Sequence, residues 1–280
     1  MNDSADPNPE DPRAYWKARS AGWTATTVSA LPTDDTLNQA LIKAAGIEPG
    51  QTVLDLASGT GDPSISIAIA LSGEGSVTAC DLTPEMLSVA CRRADELNLG
   101  NWRVAAGDMA ALPFADATFD AATCRLGLMF PTDRVACAAE TLRVLRPGGR
   151  AAWLVWGTLE ENPTYEITRS GLKQYFGVEV PPRLRRHALG APGQLNEILE
   201  EAGFAEFEER PITEIREVEP GSNYFRRSAQ RAFPDRFAAL DADAVDALIA
   251  TVEAEFAPLR EGGIYRIPSV VRIGIGRKGA

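Results

Sequence analysis

The sequence predicts an α/β fold: a doubly wound, mostly parallel sheet of seven strands, with helices ahead of it and a helical insertion before the last strand. Between residues 52 and 156, short apolar runs alternate with stretches whose apolar residues recur at helical spacing. Glycine and proline breaks, such as Gly46, Glu48-Pro49-Gly50 and Arg146-Pro147-Gly148-Gly149, fall at the joints.

Residues 15–30 carry the spaced aromatics Tyr15, Trp16 and Trp23 and read as helix. A second helix fits 35–45, with Leu37, Leu41 and Ile42 near helical spacing and Gly46 at its end. Residues 52–56 are the first strand, and a glycine loop leads from it into helix over 63–71. Strand 76–80 precedes helix 84–97, and 102–106 and 119–124 are the third and fourth strands. Helix 137–145 is closed by Arg146-Pro147-Gly148-Gly149, and 150–156 is the fifth strand. Beyond Trp156 the regularity weakens: helix is expected over 194–202, ended by Gly203, then strands over 204–215 and 267–275. The helical stretch 223–259 between those two strands exceeds an ordinary connection, which suggests a lid.

Composition excludes several classes. The 280 residues, 45% hydrophobic, supply a sizeable core, either as one large domain or as a domain with an added cap. A formal charge of -11 leaves no basic surplus to neutralise a phosphate backbone, so nucleic acid is not an expected partner. No apolar run approaches a membrane span, and residues 1–12 are acidic and Pro-rich rather than an export signal, so a cytoplasmic location is expected. Cys80, Cys91, Cys124 and Cys137 lack CxxC spacing and read as buried thiols, and the single histidine, His187, cannot build a His-rich metal site.

The strongest signal is Val53-Leu54-Asp55-Leu56-Ala57-Ser58-Gly59-Thr60-Gly61-Asp62, a strand ending in a carboxylate and turning through glycines into a helix. Such a loop lets backbone approach a ligand and leaves N–H groups free at the helix start. A dinucleotide site has the same loop. Asp81 ends the next strand, roughly 20 residues after the loop, where a carboxylate accepts from both hydroxyls of a ribose. The plain alternative is an N-cap for the helix from Thr83 onward. After the third strand come Gly107-Asp108-Met109 and Leu112-Pro113-Phe114-Ala115-Asp116. Asp108 stands to accept from an adenine amino group, with the Met109 backbone at the ring edge, or it simply caps its loop.

These residues, with Pro84-Glu85-Met86-Leu87 after Asp81 and with Leu142-Arg143-Val144-Leu145 leading into Arg146-Pro147-Gly148-Gly149, resemble the class I, Rossmann-like, S-adenosylmethionine-dependent methyltransferases. Within them they are similar to the ubiquinone/menaquinone C-methyltransferase-like branch. The resemblance runs from about Trp23 to Trp156, with a weaker tail over 195–204. It implies S-adenosylmethionine as cofactor. Asp55 and the loop Ala57, Ser58, Gly59, Thr60 and Gly61 would hold the methionine moiety, Asp81 the ribose, Leu82 and Met86 the adenine face, and Asp108 and Met109 its edge. Ala57 stands where the class usually has its first glycine, a replacement that the branch tolerates. After the fourth strand, where the quinone enzymes carry an Arg-Asn pair, this chain reads Cys124-Arg125-Leu126-Gly127-Leu128-Met129-Phe130, which puts quinone biosynthesis itself in doubt. Arg125 either lines the cofactor or substrate pocket or is a stabilising surface arginine. Asn162-Pro163-Thr164-Tyr165 looks like the Asn-Pro-Pro-Tyr box of amino-group methyltransferases, but it follows the fifth strand rather than the fourth and is set aside.

The implied reaction is methyl transfer to carbon, oxygen or nitrogen of a small, partly apolar metabolite. The sulfonium already makes the methyl electrophilic, and positioning alone supplies roughly 7–11 kcal/mol, so a dedicated base is optional. His187 is the one side chain whose unperturbed pKa suits that work, set against a bland lid or surface histidine. Tyr15, Trp23, Met129 and Tyr224 are candidate substrate contacts, with Trp16, Phe176 and Phe225 as further aromatics. A nicotinamide-dependent oxidoreductase and a non-catalytic S-adenosylmethionine-binding relative stay open as alternatives; no dehydrogenase-style Tyr-x-x-x-Lys helix supports the first. The organisation implied is a disordered tail over 1–12 and one domain over 13–280: helical cover 13–50, cofactor-binding core 51–157, substrate-side segment with the sixth strand 158–222, helical lid 223–262, last strand 263–280. Monomer and homodimer are both open.

Overall fold

The computed structural model describes residues 11–26, 35–180 and 184–280, with the backbone alone at 19, 21–26 and 184. In chain order the elements are α1 (Pro12–Thr26), α2 (Thr36–Ala44), β1 (Thr52–Leu56), α3 (Ser64–Ala70), β2 (Ser76–Asp81), α4 (Pro84–Glu96), β3 (Trp102–Ala106), β4 (Phe119–Arg125), α5 (Arg134–Val144) and β5 (Leu145–Trp156). There follow α6 (Thr164–Phe176), α7 (Gln194–Glu201), β6 (Glu206–Val218), α8 (Asn223–Ala232), α9 (Pro234–Ala238), α10 (Ala242–Glu255), β7 (Arg260–Glu261) and β8 (Ile264–Arg277). The strands lie in the order β3-β2-β1-β4-β5-β8-β6, and the two-residue β7 pairs with β8 outside that row. The pairs β1/β2, β1/β4, β2/β3 and β4/β5 are parallel, so the first five strands form the doubly wound sheet that the sequence predicts.

Burial explains which runs were easy to read. β1 and β4 have strand neighbours on either side, and Val53, Leu54, Leu56, Ala121, Ala122 and Cys124 are buried, giving near-continuous apolar segments. β6 ends the row and is mostly exposed; its Glu206, Glu208, Glu209, Arg210, Glu214, Arg216 and Glu217 put charge on an edge that would otherwise invite pairing with another chain.

The chain divides into two compact units. The first holds α1–α5, α7 and β1–β4, nearly all of β5, and the ends of β6 and β8 at 206–210 and 272–277. The second holds residues 156–191 and 211–271, among them α6, α8, α9 and α10. Its core packs Leu172 of α6 with Phe225 and Ala229 of α8, Leu248 and Val252 of α10, and Phe256, Tyr265 and Ile267. The insertion at 223–259 is therefore helical, as expected, and its apolar side is buried in a core of its own.

Two local readings are corrected. The sequence predicts no helix over Thr164–Phe176, where β-branched residues and a mid-helix glycine lower the intrinsic propensity, yet α6 forms there. Gly171 is needed there because α10 crosses closely: a Cβ would stand 2.7 Å from Val252 Cα. The Arg146-Pro147-Gly148-Gly149 stretch belongs to β5 instead of standing apart as a turn. Its Gly148 N–H donates to the carbonyl of Lys278, and Lys278 N–H donates back to Gly149 O, so the C-terminal segment pairs with it.

Candidate functional site

The site is built at the carboxyl ends of β1, β2 and β4, where ligands bind on sheets of this kind. The loop after β1 begins with Ala57 at φ 50° and continues through Gly59 at φ 52° and Gly61 at φ 109°, all in the left-handed region. For Ala57 that conformation costs on the order of 1–2 kcal/mol. Leu126, just after β4, has φ 57°, so two strained non-glycine residues flank one place. The loops they begin are in close contact. A Cβ on Gly127 would stand 2.5 Å from Ala57 Cβ and 2.8 Å from Cys124 Sγ, so glycine is required there.

Carboxylates hold the glycine loop from beneath and beside. Asp55 is fully buried; its carboxyl meets the Thr123 hydroxyl at 2.7 Å and accepts the Ser64 N–H at the start of α3 at 3.2 Å. Asp55 and Thr123 are cross-strand partners in the β1/β4 register. Burial pushes the Asp55 pKa up to about 8, against those two hydrogen bonds. Asp81 accepts Gly59 N–H on Oδ2 and Thr83 N–H on Oδ1, each at 2.8 Å. Burial raises its pKa as well, opposed by the same N–H groups. Asp62 pairs with Arg93 of α4 at 3.0 Å, and Arg93 also donates to Thr60 O, which ties the loop to that helix.

The loop's own donors are largely spoken for. Ser58 N–H goes to Cys80 O, Gly59 N–H to Asp81, and Gly61 N–H to Ser58 O. Ser58 Oγ is buried without a partner. Met86 is buried below Gly59, its Sδ 3.7 Å from where a Gly59 Cβ would be, and Leu82 is half-buried. Asp108 is exposed and its Oδ1 accepts Ala110 N–H at 2.9 Å, a loop cap that leaves Oδ2 to the outside; Met109 beside it is half-buried, its Cε 3.6 Å from a Gly127 Cβ.

Of the remaining residues named from the sequence, Arg125 is half-buried and paired with Asp35 at 2.9 Å, while the other Asp35 oxygen caps α2 through Leu37 and Asn38 N–H. Met129, read as a substrate contact, is only 1% exposed and packs the core. Tyr15 is half-buried on α1, a helix that reaches the start of α4 through Lys17–Glu85 and the loop after β4 through the Trp16–Phe130 ring contact. The Trp23 side chain lies outside the described residues. In the helical unit, Tyr224 hydrogen-bonds Thr164 Oγ1 at 2.8 Å. His187 shares a 2.6 Å hydrogen bond from Nδ1 to Gly157 O, its Nε2 is buried without a partner, and burial lowers its pKa. Asn162 of the set-aside box is structural: it donates to Thr158 O and Val270 O and accepts from Val270 N–H and Ser269 Oγ.

Sequence reasoning missed Thr123, Arg93 and Gly127. Thr123 had a signal, a lone hydroxyl in the apolar run of β4 on the strand beside Asp55. Arg93 and Gly127 had none, since their partners lie 31 residues away for Arg93 and in another loop for Gly127.

Residues 53–149 match the family described as Methyltransferase domain. The chain is 35% identical over 144 residues to the ubiquinone/menaquinone biosynthesis C-methyltransferase UbiE of Shewanella piezotolerans, covering 51% of this chain and 55% of that one. It is 41% identical over 124 residues to the demethylmenaquinone methyltransferase of Beutenbergia cavernae, covering 44% and 48%. The chain thus spans about half the length of the curated relatives it matches. Among solved structures, the phosphoethanolamine N-methyltransferase 2 of Haemonchus contortus shares the fold with a TM-score of 0.58 at 20% identity, over 93% of this chain and 56% of that one. Residues 53–149 therefore match a methyltransferase domain, and about half of the chain is similar to the ubiquinone/menaquinone C-methyltransferases.

Proposed function

We propose that the protein transfers the methyl group of S-adenosylmethionine to carbon, oxygen or nitrogen of a small, partly apolar metabolite. The observation that carries this reading is the electrostatics of the glycine loop. Asp81 already accepts the Gly59 N–H, the Gly61 N–H is donated to Ser58 O, and Asp62 stands at the end of the loop against Arg93. A pyrophosphate needs free loop N–H groups and no nearby carboxylates; a sulfonium nucleoside with an ammonium group suits this surrounding. Each Asp81 oxygen keeps a lone pair for a ribose hydroxyl, and Ser58 Oγ awaits a partner.

When bound, the cofactor supplies an electrophilic methyl. This chain's residues then orient it: Asp81 through the sugar, Met86 and Leu82 as apolar surface, and Asp55 by holding the loop against α3.

Isothermal titration of the purified chain with S-adenosylmethionine, S-adenosylhomocysteine and NAD in parallel tests the proposal. Saturable binding of the two sulfur nucleosides without NAD is the expected result. Binding of NAD alone would return the loop to the oxidoreductases.

A further inference from the structure

Three arginines of the helical unit lie near one another, and among the described residues none of them is paired with a carboxylate. The Arg216 guanidinium carbon, on β6, is 5.8 Å from the ring centre of Tyr224 on α8. Arg227 and Arg231 follow Tyr224 on the same helix and are four residues apart, hence neighbours on one face. The Tyr224 hydroxyl, bonded to Thr164 Oγ1 at 2.8 Å, is within electrostatic reach of Arg216 and Arg231. Desolvation, then Arg227 and Arg216, hold the Arg231 pKa below the ordinary arginine value, even though much of that side chain reaches solvent.

Three other arginines of this unit are paired, Arg169 with Glu166, Arg226 with Asp246 and Arg266 with Glu217, while Arg236 and Arg260 stack on aromatic rings. Among the described residues, none of Arg216, Arg227 and Arg231 makes such a pair. In a chain with 39 acidic and 28 basic residues, a carboxylate beside each arginine would be the ordinary arrangement. Keeping three cations together raises the energy of the empty protein, and an incoming anion relieves that repulsion. Guanidinium groups present paired donors that match the oxygens of a phosphate, and the phenol adds another.

We propose that Arg216, Arg227 and Arg231, with the Tyr224 hydroxyl, bind a phosphate group, either borne by a metabolite or free in solution. This site stands independently of the methyl-transfer reading.

Isothermal titration of the full chain with inorganic phosphate and with phenyl phosphate, at ionic strength held constant with chloride, tests it. Saturable binding of at least one ligand is expected, weakened about tenfold or more in Arg231→Gln and in Arg216→Gln. Binding should be unchanged in Arg226→Gln, a substitution on the same helix at an arginine that already has a partner. Phenyl phosphate binding tighter than inorganic phosphate assigns the site to a metabolite-borne group, and equal binding assigns it to the free ion. The proposal is overturned by absence of saturable binding to both ligands, or by undiminished binding in the two variants with circular dichroism matching the parent. These side chains reach solvent, so the single variants are expected to fold.

Discussion

At the residue scale, two aspartates divide the work of the glycine loop. Asp81 is held by two backbone N–H groups yet keeps lone pairs on both oxygens. Charge-assisted hydrogen bonds of this kind are worth about 1.5–3 kcal/mol, so Asp81→Ala should weaken S-adenosylmethionine binding roughly 10- to 100-fold by titration calorimetry. Equal affinity in a folded Asp81→Ala protein would remove Asp81 from the ribose. Asp55 faces inward, and burial lifts its folded pKa to about 8, well above the ordinary aspartate value of 3.8. The native state therefore binds a proton that the unfolded chain has released between those values, and stability falls as pH rises through that window. The slope approaches about 1.4 kcal/mol per pH unit in its middle. Urea midpoints at pH 5, 6 and 7 should fall more steeply for the parent than for Asp55→Asn, whose amide can donate to Thr123 and accept from Ser64 without titrating. Parallel pH profiles of the two proteins would show that Asp55 is ionised throughout.

At the element scale, two of the segments that carry the family resemblance act as clamps. Arg143 of α5 donates to the carbonyls of Phe114 at 2.8 Å and Leu112 at 3.0 Å and pairs with Asp116 and Glu140, while Glu140 accepts Leu112 N–H at 2.8 Å. The Leu112-Pro113-Phe114 and Leu142-to-Gly149 motifs are thus two halves of one contact, which fixes the loop that follows Asp108. A lysine has neither the fork nor the number of donors to reach both carbonyls and both carboxylates. Arg143→Lys is accordingly expected to lose roughly 1–3 kcal/mol of stability in urea. Retention of the parent midpoint would mean the clamp contributes little. The helix α6 shows the opposite case, an element whose sequence is unremarkable as helix and which exists because α10 and α8 cover it. Its Gly171 makes sense only beside Val252.

At the scale of the whole molecule, protection should follow position in the sheet. β1 and β4 are central and buried, whereas β3 and β6 end the row and are largely exposed. Hydrogen exchange read by mass spectrometry is expected to be slowest in peptides covering 53–56 and 121–124 and fastest in those covering 206–217. Comparable exchange in all four strands would indicate that the sheet opens as a single unit.

The same difference decides what could be read without a structure. Residues 52–56 and 102–106 were read as strands with the bounds they have, and α2, α3, α4 and α7 to within a residue or so at each end, because local apolar spacing and glycine or proline breaks are properties of adjacent residues. The glycine loop, Asp55 and Asp81 were legible for the same reason: each lies at the end of a strand that announces itself. What pairs with them was not. The Thr123 hydroxyl on Asp55 is 68 residues away, the Asp35 carboxylate on Arg125 is 90, and the Gly127–Ala57 approach joins two loops. Sequence by itself determined the alternation, the cofactor-side loop and its carboxylates. Tertiary structure alone decided that Met129 is core, that Asn162 pins a strand, that Arg125 has a partner, and that, among the described residues, three arginines on β6 and α8 have no carboxylate partner. Such outcomes depend on which distant side chains the folded backbone brings within a few ångströms, and burial and pairing have no local periodicity from which to be read.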